Sequence, residues 1–138
     1  MDMCFQGLRL QDRFSKVSGL EFSSLVQTLR YTSARFALNL QQMECYENMD
    51  CWHNREMSRG FAVTACGQLV NVFSATSVGD NGRGILDFAK SRYPSLRINC
   101  YAGRLEALYR DNGFEEISRA ANWMGAPNPD VVFMQWQR

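Results

Sequence analysis

Only one histidine and two lysines occur in the 138 residues, and no Cys-x-x-Cys pair stands among the five cysteines. Each scarcity excludes something. An odd cysteine count without paired spacing argues against a disulfide framework. Cys51 and His53 lie close in sequence, with Cys45 upstream, but tetrahedral zinc needs a fourth ligand that nothing supplies, so no metal is expected. Apolar runs stay shorter than a membrane span, and the first residues lack the apolar core of a signal peptide; the chain reads as cytoplasmic, with no membrane partner. Charge of either sign is not in excess: 15 basic and 14 acidic side chains leave a net charge of +1. That balance offers no bulk attraction to nucleic acid. Repeats, low-complexity tracts and linkers are missing too, and the length suits a single domain, 1–138.

What is present is unevenly distributed. Thirteen of the 15 basic residues are arginine, a side chain suited to bidentate recognition of carboxylate or phosphate. Phe5, Leu8 and Leu10 suggest a short edge strand or a frayed arm. From Glu21 to Ala34, Phe22, Leu25, Val26 and Leu29 recur at i, i+3, i+4 and i+7, which predicts an amphipathic helix. The alternation in Arg35–Leu40 predicts a short strand. Met43, Tyr46 and Met49 predict a second helix over Gln42–Asp50, and His53–Glu56 reads as loop. Phe61–Ala65 and Leu69–Phe73, joined through Cys66-Gly67-Gln68, form a β-hairpin pattern.

The second hairpin strand enters Ser74-Ala-Thr-Ser-Val-Gly-Asp-Asn-Gly-Arg-Gly84, after which Ile85, Leu86, Phe88 and Ala89 begin a helix that Pro94 stops. A glycine-rich loop thus leads from a strand to a helix N-terminus, where close backbone approach and the helix dipole favour an anion. Arg83 adds a cation. An ordinary flexible turn would use the same glycines. After a strand over Leu96–Cys100, Leu105, Leu108 and Tyr109 share one helix face, and Asn112-Gly113 ends the helix before Phe114 opens a strand to Ala120. A polar excursion with Pro127 and Pro129 precedes a last strand, Val131–Trp136. By itself, Tyr109 could be a core residue at a helix–strand joint.

From about Gly60 onward the chain resembles the GCN5-related N-acetyltransferase superfamily. The resemblance rests on the hairpin, the spacing Gly79-x-x-Gly82-x-Gly84, the helix and strand that follow, and Leu108-Tyr-Arg-Asp-Asn-Gly-Phe114, with its tyrosine four residues ahead of Gly-Phe. The compactness is similar to that of small acetyltransferase-like proteins of phages and prophages. The implied fold is α/β (α+β), a mixed, mostly antiparallel central sheet with helices on both faces. Residues 1–59 would shape the acceptor pocket and 60–138 would form the cofactor-binding core.

The resemblance further implies acetyl-coenzyme A as co-substrate. Val72, Phe73 and Ser74 would pair with its pantetheine arm, and Val78, Gly79, Asn81, Gly82, Arg83 and Gly84 would hold its pyrophosphate. Tyr109 would serve the thioester sulfur as general acid. An amine acceptor, protein or small molecule, would attack directly; a homodimer is left open. Two positions depart from the family: Gly79 stands where Gln or Arg opens the loop, and Ala102 where an Asn is common. The general base is open among Glu44, His53 and Glu56. Two other functions fit the same residues: a coenzyme-binding protein that inhibits or docks without turnover, and transfer onto a nucleobase.

Overall fold

The computed structural model describes residues 13–33, 40, 46–74 and 82–138. Residues 1–12 of the N-terminal arm, residues 35–39 of the strand expected over Arg35–Leu40, and the loop residues Val78, Gly79 and Asn81 lie outside them, as does Glu44. The chain divides into two compact units, Met1–Ala89 and Lys90–Arg138.

The first unit opens with β1 (Ser15–Val17) and α1 (Gly19–Thr32). Ser18 caps α1, its hydroxyl accepting from the Glu21 amide at 3.0 Å, which satisfies one of the unpaired first-turn donors. The predicted face is the one used: Phe22 and Val26 are fully buried, with Leu25 and Leu29 packed beside them. β2 (Asp50–Asn54), β3 (Arg59–Val63) and β4 (Leu69–Ser74) complete a four-stranded antiparallel sheet in the order β1-β2-β3-β4. The predicted hairpin is β3–β4, closed by Thr64 and Gln68 with Gly67 at φ +89°, a left-handed conformation cheap only for glycine.

Successive strand residues face opposite ways, so the sheet carries two cores. Cys51, Ala62 and Phe73 pack with Phe22 and Val26 of α1. On the other side Trp52 and Phe61 meet Phe14 and Phe88, with ring centroids 4.7–6.4 Å apart. Phe88 belongs to α2 (Arg83–Arg92), so helices lie on both faces of this sheet. Burying one such phenylalanine contributes about 1.5–3 kcal/mol.

Two segments differ from what the sequence implies. Tyr46–Met49 is not helical: the Met49 amide bonds the Tyr46 carbonyl at 3.0 Å in a turn, and Asp50 already begins β2. His53 and Asn54 are strand rather than loop. A ladder on each side of β2, to β1 and to β3, outweighs the local helical spacing of Met43, Tyr46 and Met49.

The second unit holds β5 (Ser95–Tyr101), α3 (Arg104–Asp111), β6 (Glu115–Ala120) and β7 (Val131–Gln137), with antiparallel sheet order β5-β7-β6. Leu96, Ile98 and Cys100 alternate inward along β5 against Val132 and Met134 of β7. As the sequence implied, α3 ends at Asn112-Gly113. Gly113 takes φ +91°, and the Phe114 amide reaches back to the Tyr109 carbonyl at 3.0 Å, turning the chain directly into β6. The Lys90 ammonium bonds the Asn112 carbonyl and lies over the Phe114 and Trp136 rings, 5.9 and 5.5 Å from their centroids.

Candidate active site

Tyr109 sits on the buried side of α3 and is 7% exposed. Its ring leans on Phe114, centroids 5.8 Å apart at 57°. Among the described residues its hydroxyl has no hydrogen-bond partner, unusual for a buried phenol because such groups generally find one. Burial, and secondarily the neighbouring Cys100, push the phenol well above its ordinary pKa. Tyr109 therefore stays protonated at neutral pH, a donor rather than a base.

Four ionisable groups on and beside α3, Glu106, Arg110, Glu116 and Arg119, are committed to one another. Glu106 contacts Arg110 at 2.5 Å and Arg119 at 2.7 Å, and Glu116 contacts Arg119 at 2.9 Å. Arg110 first and Arg119 next hold the Glu106 carboxyl below the usual range, so it makes a poor proton acceptor. The Cys100 thiol is pushed up to about 11 by burial, with Glu106 adding to it, and is a poor nucleophile. Ala102, the position where an asparagine was expected, engages only its backbone, its amide donating to the Asp130 carbonyl at 2.8 Å.

In the first unit Val72, Phe73 and Ser74 end β4, the outermost strand of its sheet. The Phe73 side chain belongs to the core, so only its backbone is available to a ligand. Across the ladder, Gly60 faces Phe73 and Ala62 faces Val70, which places one extra residue in β4. Asn71, at this bulge, takes φ +50°, and its amide nitrogen bonds the Tyr46 hydroxyl at 2.6 Å. A bulge turns local backbone groups out of the ladder and re-aims side chains. Neither the bulge nor Asn71 was foreseen from sequence, since nothing but an asparagine in a strand hints at it.

Arg59 was missed as well. It is fully buried, and its Nε donates to the Ser74 hydroxyl at 3.3 Å, fixing the residue at which β4 ends. Gly82 (φ +78°), Arg83 and Gly84 stand at the start of α2, with the Ile85 and Leu86 amides bonding the Gly82 carbonyl at 3.1 and 3.3 Å. The helix begins two residues earlier than the sequence suggested, so Arg83 and Gly84 lie in its first turn.

His53 and Glu56, named as bases by residue type, line one open cleft of about 470 Å³ with Arg13, Ser15, Val17, Asn54 and Arg55. Burial, and next the charge of Arg55, lower the His53 pKa, so its imidazole is neutral at pH 7. The cleft lies at the β1–β2 side of the sheet, the opposite edge from β4. Among the described residues there is no group of three or more His, Cys, Asp or Glu side chains placed to hold a metal, and no helix long and apolar enough to cross a membrane.

The elements and their order are those of an N-acetyltransferase-like α+β fold. Solved acetyltransferases share it along nearly the whole chain. An IAA acetyltransferase from Bacillus cereus superposes with a TM-score of 0.59 at 11% identity, covering 91% of this chain and 99% of its own. The ribosomal-protein-S18-alanine N-acetyltransferase from Escherichia coli gives 0.58 at 17% identity, covering 92% and 94%. A spermidine N-acetyltransferase chimera from Vibrio cholerae and hSSAT gives 0.57 at 9% identity, covering 92% and 95%. At these identities the likeness is one of fold. No family model and no curated protein sequence matches the chain.

Proposed function

We propose that the protein transfers an acetyl group from acetyl-coenzyme A to an amine, with Tyr109 as the acid for the departing thiolate. The observation that carries this reading is the Tyr109 hydroxyl: buried, protonated and without a partner among the described residues. An unpaired buried hydroxyl costs about 1–3 kcal/mol, and a ligand sulfur that accepts its hydrogen bond removes that cost. The amine nitrogen attacks the thioester carbonyl carbon, the carbon–sulfur bond breaks, and the thiolate takes the phenolic proton. The amine releases its own proton to solvent, and the phenolate is reprotonated from solvent. No covalent enzyme intermediate forms, consistent with the inert Cys100 thiol.

Coenzyme binding falls to β4 and α2. Backbone groups of Val72, Phe73 and Ser74 pair with the pantetheine amides as an added strand would, where β4 is outermost. Gly82, Arg83 and Gly84, with Val78, Gly79 and Asn81 before them, supply donors and one guanidinium to the pyrophosphate. Acetyl-group chemistry of this kind suits the cytoplasm. The test is Tyr109→Phe, which should lower kcat roughly 100-fold while the Kd for acetyl-coenzyme A stays within about twofold. Equal turnover in the variant would remove Tyr109 from the reaction.

A second reading, a coenzyme-binding protein without turnover, draws on Ala102, whose methyl group supplies no ligand-directed hydrogen bond. Incubating a cell lysate with the protein and isotopically labelled acetyl-coenzyme A separates the two. Labelled amides support the transferase; tight coenzyme binding with no labelled product supports the binder.

A further inference from the structure

The cleft at the β1–β2 side of the first sheet is left unused by the chemistry above. Its wall carries Arg13, Arg55, Glu56 and His53, with Ser15 and Val17 of β1. At about 470 Å³ it is within the range of small-molecule sites. Its charged side chains are also uncommitted. Some charges elsewhere are paired, Lys16 with Asp50 at 3.1 Å, and Glu106 and Glu116 with Arg110 and Arg119. Among the described residues the side chains of Arg13, Arg55 and Glu56 make no hydrogen bond or ion pair, although opposite charges line the same cleft.

We infer that this cleft is a ligand site for a small zwitterion bearing a carboxylate and a primary ammonium, an amino acid or a peptide end. Two guanidinium groups match a carboxylate, which they bind through paired N–H donors. Glu56 decides against a polyanion, since a phosphate or dicarboxylate would share the cleft with its like charge, and it matches an ammonium instead. The partly buried, neutral His53 imidazole adds a hydrogen-bonding group without adding charge. The site is separate from the coenzyme strand, because β2 and β3 lie between β1 and β4 in the sheet order. It does not depend on the acetyl transfer proposed above.

The lone histidine makes the test direct, because the chain has a single imidazole to observe by NMR. L-alanine, propionate and ethylamine are titrated separately into the full-length protein while the His53 ring signals are followed. L-alanine should shift them saturably, with propionate and ethylamine each at least about tenfold weaker, a difference of about 1.4 kcal/mol. Arg13→Gln and Arg55→Gln should each weaken L-alanine about tenfold, and Glu56→Gln should erase its advantage over propionate. All three positions are exposed, so the variants keep the fold. No saturable shift with L-alanine up to about 100 mM, or propionate binding as tightly as L-alanine, overturns the inference.

Discussion

At the scale of single residues, the chemistry is set by where burial moves a proton. Cys51 and Cys100 are both buried, and burial first, with Asp50 and Glu106 respectively adding to it, raises each thiol from 9.0 to about 11. The folded chain thus holds protons that the unfolded chain releases once pH exceeds 9. Stability is full below pH 9 and falls between pH 9 and 11, by up to about 1.4 kcal/mol per pH unit for each thiol. Chemical denaturation at pH 8, 9, 10 and 11 should show that decline, and Cys100→Ala should make it shallower. A flat profile across this range would mean the thiols are not held protonated. Arg59 shows the limit of legibility at this scale. Its spacing among apolar neighbours gave no sign that an arginine would be wholly buried and tied to Ser74, because that depends on a partner fifteen residues away.

At the scale of elements, local signals were readable where one feature determined the outcome. The helical repeat of Phe22, Leu25, Val26 and Leu29 gave α1, the Gly67 turn gave the β3–β4 hairpin, and Asn112-Gly113 gave the end of α3. They failed at Tyr46–Asn54, where pairing with two neighbouring strands, invisible in a window of sequence, overrode a plausible helical stripe. Gly60 belongs to this scale too. A Cβ there would lie 2.6 Å from the Phe73 ring and 3.0 Å from the Trp52 carbonyl oxygen, so the β2–β3–β4 spacing depends on its absence. Gly60→Ala should cost about 1–3 kcal/mol by overpacking. Thermal unfolding checks this, and an unchanged melting temperature would show that Phe73 swings aside freely.

At the scale of the molecule, the antiparallel α+β architecture was legible from the order of elements together with the family resemblance, and solved acetyltransferases share it. The local structure around the candidate site was legible at Tyr109, on the buried face of α3, and at the glycine-led start of α2. It was not legible in the bulge of β4, because register is a property of two strands at once. Coenzyme binding to the folded chain alone should stabilise the whole by mass action. Acetyl-coenzyme A at 100 times its Kd adds about 2.7 kcal/mol, read as a rise in melting temperature that grows with concentration. Absence of any rise would remove the coenzyme from the proposed function.

One feature of the second unit bears on how the protein behaves in a crowded cell. β6 is the edge of its sheet and is exposed at all six residues, the kind of strand on which other chains can polymerise. Its register slips between Glu116 and Ser118, placing Ile117 as an extra residue, and both flanking charges are tied into ion pairs with α3. A kinked, charge-studded edge offers a poor template for an incoming strand. The same bulge that disturbs the ladder thus guards the protein against growing into fibres through β6.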